Sequence, residues 1–177
     1  MTVSRWIIAA GFVCAATPSF AMSVLSTDVT EDAPFPITEV CSRYGGGNIS
    51  PVLTWRGVPA EGKSLAITMF DPDAHNGWWH WQVLDIPVWT TALAQGAGGP
   101  HPDLPSNAHQ HGNSNGNERY DGPCPPDGSG VHHYQITLWV LDVPIADVDV
   151  NAEPAQVGDY LMKHAIKTAT LTPIYQK

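Results

Sequence analysis

The sequence predicts a mainly β chain: an antiparallel Greek-key β-sandwich with a C-terminal helix and a short terminal strand. Three observations carry that prediction. Short apolar segments with two-residue alternation recur along the chain, separated by turns drawn from its 16 glycines and 16 prolines. A helical repeat occurs once, near the C-terminus, and one long stretch shows no periodicity at all.

The first 21 residues read as a secretory signal rather than as structure. Arg5 supplies a basic start, Trp6 to Ala16 an apolar run, and Ser19-Phe20-Ala21 a small-x-small cleavage site. The run is shorter than the roughly 20 residues a bilayer span needs, and no later stretch is apolar enough for one. The mature chain, residues 22–177, is long enough for one domain with its own core. A periplasmic or secreted location follows from this reading.

Ser23 to Val29 reads as a first strand and Ala33 to Cys41, broken by prolines, as a short strand or edge. RYGGGNIS, Arg43 to Ser50, is a turn, because three successive glycines hold regular structure poorly. Val52 to Trp55 is a short strand. Ser64 to Phe70 alternates, with Leu65, Ile67 and Met69 on one face, and predicts a half-buried strand. Trp79 to Ile86 continues as strand up to Pro87, with Trp79 and Trp81 on one face by alternation. From Thr90 to Gly130 the composition is that of a long loop, functional or mobile. His133 to Asp142 is the clearest strand, with Tyr134, Ile136, Leu138 and Val140 on one face. Pro154 suits a first helical turn, and Val157, Leu161 and Ala165 follow at four-residue spacing. Ala169 to Tyr175 closes the chain as a strand that Pro173 marks as an edge.

Charge and cysteines exclude some functions. Loss of Arg5 with the signal leaves seven basic against 17 acidic residues, a formal net charge of −10 with neutral histidines. Seven scattered cations do not make the basic patch that tracks a nucleic-acid backbone. Cys14 leaves with the signal. Cys41 and Cys124 remain, an even pair in an exported chain, which predicts one disulfide.

Strand parity groups a set of polar residues. Asp71 follows Leu65, Ile67 and Met69 on the inner face, and His132 shares the parity of Tyr134 and Ile136. With His80 at the start of its strand they form a polar cluster at one end of an apolar body, the setting of a small-molecule site. Imidazoles, a phenol and backbone N–H groups of a Gly/Pro turn can hold a phosphate-like or carboxylate anion, with Asp71 orienting an imidazole.

The strings DPDAHNGWWHW, NISPVLTW and GPCPPDGSGVHHY, with the C-terminal helix and strand, resemble the phosphatidylethanolamine-binding protein family, in particular its bacterial Raf-kinase-inhibitor-like branch. The likeness runs from about Gly45 to Tyr175. It rests on D-P-D-x-P followed by W-H-W, then G-P-x-P-P, then G-x-H-R. The resemblance implies an antiparallel β-sandwich with an anion pocket and no known catalytic cycle. It places Asp71, His80, Gly122, Pro123, Cys124, Pro125, His132 and Tyr134 at the ligand; Asp73, His75 and Trp78, read from the residues themselves, are candidates for the rim. Two positions depart from the family pattern: His75 replaces its proline and His133 its arginine. Parity puts His133 on the face opposite His132, where it can partner Asp73.

The expected function is therefore a non-enzymatic, exported binding protein for a small anionic or phosphorylated ligand, with no cofactor and no metal. A protein-interaction regulator, such as a protease inhibitor, is the alternative. A hydrolase using the Asp/His pocket ranks below both; Ser50-Pro51 lacks the G-x-S-x-G elbow of many serine hydrolases. His101, His109 and His111 in the long loop lack a partner ligand at metal-binding spacing. No nucleic-acid partner or stable membrane span is expected, and the bacterial relatives suggest a homodimer.

Overall fold

The computed structural model describes residues 21–177, so the segment that the sequence reads as a signal, Cys14 included, lies outside the described residues apart from Ala21. The chain is mainly β with one C-terminal helix and several antiparallel sheets. The largest sheet has five strands, built around β3 (Ser64–Asp71) and ordered β6-β4-β3-β8-β9. Its other members are β4 (Trp78–Ile86), β6 (His109–Gln110), β8 (Gln135–Leu141) and β9 (Ala165–Leu171). A three-stranded sheet joins β1 (Ser23–Leu25), β2 (Leu53–Arg56) and β5 (Ala92–Leu93), and a two-stranded ribbon pairs β7 (His132–His133) with β10 (Ile174–Tyr175). The helix α1 spans Pro154–His164. Among the described residues no helix is long and apolar enough to cross a membrane.

β3 is buried on both faces rather than half-buried. Leu65, Ile67 and Met69 enter the main apolar cluster with Val24, Leu53 and Trp55 of the three-stranded sheet. On the other face Ala66 packs with Leu84, Leu141 and the helix residues Val157 and Leu161. The polar residues of that face are satisfied internally: Ser64 Oγ donates to the Val143 carbonyl at 2.6 Å, and Trp139 Nε1 donates to Thr68 Oγ1 at 2.9 Å. Alternation read Ser64 and Thr68 as solvent-facing, whereas covering by the helix decides their burial.

β4 corrects a second expectation. Met69 pairs with Trp81, but Phe70 pairs with Trp79, so the register shifts by one residue at His80. A β-bulge reverses side-chain parity beyond it. Trp81 consequently sits in the main core, edge-on to Tyr120, while Trp79 lies on the helix side. A Cβ on Gly158 would overlap the Trp79 ring, which explains a glycine inside α1. Trp79 and Trp81 do not share a face. The same shift turns His80 from the helix side, where Gln82 bonds the Pro154 carbonyl, to the side of Tyr134.

Other elements are shorter or longer than expected. β1 stops at Leu25 because Ser26 Oγ accepts the N–H groups of Asp28 and Val29 and turns the chain. Residues 33–41 form no strand beyond a single bridge from Pro34 to Ile174, although Phe35 and Val40 are buried. The turn after Cys41 opens with a 3-10 segment, Ser42–Tyr44, closed by Gly45 at φ 79°. The strand expected from His133 is divided, since Tyr134 donates its N–H to the Pro173 carbonyl between β7 and β8. Ala165 ends the helix in an extended conformation and begins β9, and Pro173 separates β9 from β10. The helix N-terminus has a capping box between Glu153 and Gln156, ahead of Pro154 at the first position.

The stretch from Thr90 to Gly130 is not a free loop. It contributes β5 and β6, and Asn113 Oδ1 accepts the N–H groups of Asn115 and Asn117. Ser50 serves this packing: its Oγ accepts the Gly98 N–H at 2.9 Å and its carbonyl that of Gly96. His109 and His111 are separated, His109 exposed opposite Asp85 and His111 buried with Nε2 3.1 Å from the Asp149 carbonyl. Among the described residues no three His, Cys, Asp or Glu side chains gather as a metal site.

Candidate functional site

A cavity of about 860 Å³ opens at the end of the sheet where β3, β4 and β7 meet the turn that follows Asp121. Asp71, His80, Gly122, Cys124, Pro125, His132 and Tyr134 line it, with Asp73, His75 and Trp78 also on its wall. Pro123 does not line it. Its carbonyl instead accepts the Cys41 N–H at 3.2 Å, so the middle of the turn is stitched to the N-terminal segment.

Asp71 and His132 form a buried pair. Asp71 Oδ2 lies 2.7 Å from His132 Nδ1, and Oδ1 accepts the N–H groups of Asp73 and Ala74 at 2.9 and 3.2 Å. The carboxylate caps the turn that leaves β3 while it fixes the imidazole. His132 Nε2 is 2.9 Å from Ser129 Oγ, and Ser129 donates to the Pro126 carbonyl at 2.8 Å. Next to this buried pair, His133 is exposed and sits 2.8 Å from Asp73 Oδ2 through both its N–H and Nδ1. Burial opposes the charge on Asp73, but these bonds outweigh it and lower its pKa.

His80 is held from the opposite wall. Its Nδ1 lies 2.7 Å from the Asp121 carbonyl, which can only accept, so Nδ1 carries the hydrogen and Nε2 is left for the cavity. Burial pushes the His80 pKa below its ordinary value, with the Asp121 carbonyl acting in the opposite sense, so the ring is neutral at pH 7. Tyr134 stands edge-on to His80 at 5.2 Å and its hydroxyl is buried without a partner. Burial, reinforced by the Asp71 charge, raises the phenol pKa far above its usual range, so it remains a donor.

The wall formed by Gly122 to Pro125 is fixed covalently and by close packing. Cys41 and Cys124 form a disulfide, the expected pair. Asn48 Oδ1 accepts the Gly122 N–H at 2.7 Å, and Tyr44 donates to the Pro125 carbonyl at 2.6 Å. A Cβ on Gly122 would overlap the Glu39 carbonyl, a backbone atom that cannot rotate away. Gly122→Ala is therefore expected to cost about 2–4 kcal/mol, in the range of overpacking with backbone displacement, read as a shift in the denaturant midpoint.

Sequence reasoning missed several lining residues. Asp121 precedes the G-P-x-P-P turn directly, and its Oδ2 accepts three amides, from Asn113, Asn115 and Asn117, at 3.0, 2.9 and 3.0 Å. Burial would raise its pKa, but these amides together lower it and hold it ionised. The alternating asparagines were the available signal, since three amides at two-residue spacing can converge on one acceptor. Arg43, Asn48, Arg119 and Ser129 also line the cavity; Asn48 and Ser129 lie inside strings that carry the family likeness, and nothing local in the sequence marks the two arginines as lining residues.

A family model described as Phosphatidylethanolamine-binding protein matches residues 25–176. The chain is 40% identical over 170 residues to the UPF0098 protein YbcL of Escherichia coli, covering 93% of each. It is 37% identical to YbhB of the same organism, covering 87% of this chain and 99% of that one. The crystal structure of E. coli YbcL, described as a new member of the mammalian PEBP family, superposes with a TM-score of 0.84 over 88% of this chain and 98% of that chain.

Proposed function

This chain belongs to the phosphatidylethanolamine-binding protein family, and from that premise we propose that it is an exported, non-enzymatic binding protein for phosphate-headed anions. The site is the cavity bounded by Asp71, His80, Gly122, Cys124, Pro125, His132 and Tyr134. One observation carries the reading: a buried, unpartnered donor, the Tyr134 hydroxyl, lies beside an imidazole whose Nε2 is an acceptor. A singly protonated phosphate or phosphomonoester matches both, accepting from the phenol and donating its own O–H to His80. A fully ionised carboxylate offers no such proton. The disulfide and the signal-like start support export.

The chemistry sets a pH dependence. The complex holds one proton shared between phosphate and His80, and His80 is less basic than in an unfolded chain. A phosphomonoester loses its second proton near a pKa of about 6. Affinity is expected to rise as pH falls from 8 to 5.5, by up to about tenfold per pH unit. Calorimetric titration with inorganic phosphate at fixed ionic strength measures this, and a flat profile would sink the reading. The free protein should behave oppositely. The lowered pKa means that the unfolded state takes up a proton first, so His80 lowers stability as pH drops below its ordinary value of 6.5. Melting temperatures of wild type and His80→Gln between pH 5 and 7 isolate that contribution.

Another observation favours a second reading, a hydrolase. Ser129, His132 and Asp71 form a hydroxyl–imidazole–carboxylate chain with spacings of 2.9 and 2.7 Å. Two features weigh against it: the Ser129 hydroxyl donates to Pro126, and the Ser129 N–H is bound to the same carbonyl at 3.1 Å rather than offered to an oxyanion. Incubation with a fluorophosphonate separates the readings. A covalent adduct on Ser129 of the native protein, absent in Ser129→Ala, would favour the hydrolase. The long loop that a protease inhibitor would present is hydrogen-bonded to the body of the protein.

A further inference from the structure

Building on the phosphate reading of this cavity, we propose that its ligand carries two anionic groups joined by a short organic spacer, the second held by Arg43 and Arg119 at the cavity wall. The distribution of charge supports this. Seven cations lie between residue 22 and the C-terminus, against 17 acids. Two of them, Arg43 and Arg119, line this one cavity, and a third, Lys177, packs on Tyr44. The Lys177 ammonium sits 4.8 Å from the centroid of the Tyr44 ring, and the Arg43 guanidinium carbon lies 5.7 Å from the same centroid. Tyr44 is itself tied to the lining residue Pro125.

The carboxylates on the same wall already have partners other than these arginines. Asp71 is held by His132 and two backbone N–H groups, and Asp73 by His133. Asp121 Oδ2 is filled by three asparagine amides. Arg119 forms an ion pair with Asp121, Nε to Oδ1 at 3.6 Å, that is too long for a hydrogen bond, and its side chain is 43% exposed. A half-exposed guanidinium that makes no hydrogen bond to its partner carboxylate can still donate to an incoming acceptor. Size points the same way. At about 860 Å³ the cavity is far larger than one oxyanion and falls in the range of sites for whole small molecules. Trp78, Pro125 and Pro126 offer apolar surface to the spacer. The asparagine cluster thus occupies Oδ2 of the ionised Asp121 and leaves Arg119 only an ion pair with Oδ1 and no hydrogen bond, which gives the otherwise unexplained Asn113, Asn115 and Asn117 a role in ligand choice.

The test compares propyl phosphate with propane-1,3-diyl bisphosphate by calorimetry at constant ionic strength, using the oxidised, full-length mature protein. Wild type is expected to prefer the bisphosphate by about tenfold or more, as charge-assisted hydrogen bonds allow. In Arg43→Gln/Arg119→Gln that ratio should fall to within about twofold of unity while propyl phosphate still binds. Each single variant is measured as well, so that poor folding of one leaves the other informative. Vesicles carrying phosphatidylinositol 4-phosphate form a parallel arm: retention there without binding of the soluble bisphosphate assigns a lipid-borne ligand, and the reverse a free one. A wild-type ratio near one together with no retention on the vesicles, or a ratio unchanged in the arginine variants, overturns the inference and leaves the phosphate reading standing. Failure of all phosphates to bind overturns both.

Discussion

Asp71→Ala is expected to abolish binding of phosphate-headed ligands and to destabilise the protein by about 3–5 kcal/mol, the usual cost of removing one partner from a buried pair. Asp71 is 2% and His132 4% exposed, so water cannot replace the lost carboxylate. The substitution also releases the N–H groups of Asp73 and Ala74, which Asp71 caps at the exit of β3. His132 would lose the acceptor that fixes its ring and could turn away from Ser129. Asp71→Asn separates the two effects. Its side-chain oxygen can still cap the turn, so most of the stability should remain, while the charge beside His132 is gone. Urea denaturation gives the stability change and calorimetry with inorganic phosphate the affinity. Wild-type affinity in Asp71→Asn would show that the buried pair serves folding alone.

The second large effect is expected from the disulfide. Cys41 and Cys124 close a loop with a sequence separation of 83, for which chain entropy predicts about 4–5 kcal/mol of stabilisation. Both residues line the cavity, so the bond also holds part of the ligand wall. In Cys41→Ala/Cys124→Ala the segment from Glu39 to Asn48 keeps its contacts with Tyr120, Gly122 and Pro125. The wall should therefore loosen rather than dissolve, and phosphate affinity should fall along with the melting temperature. Unchanged affinity in a folded double variant would show that the noncovalent stitching suffices. Thiol titration before and after reduction establishes how much of the purified protein carries the bond.

Legibility in the sequence followed the range of the forces involved. The alternation of Leu65, Ile67 and Met69 carried on to Asp71, because β3 pairs with β8 in one unbroken register from Ser64 to Phe70. His132 and Tyr134 keep the same alternation although the strand is divided between them, and both line the cavity. His80 was placed beside them from its position at the start of its strand, and a bulge turns its ring to the side of Tyr134. Arg43 and Arg119 gave no local signal, since their neighbours on the cavity wall come from distant segments. The asparagines around Asp121 looked like loop composition, and they are side-chain ligands of one buried carboxylate.

The sequence by itself determined the β-rich class, the late helix, the family and the pairing of Cys41 with Cys124. Those depend on periodicity, on a local motif string or on simple arithmetic. Tertiary structure alone decided three other matters: that both faces of β3 are covered, that Trp79 and Trp81 part company, and that two arginines meet at one cavity. Each arises from a neighbour remote in the chain or from one inserted residue in a ladder. Such contacts leave no period for the sequence to display.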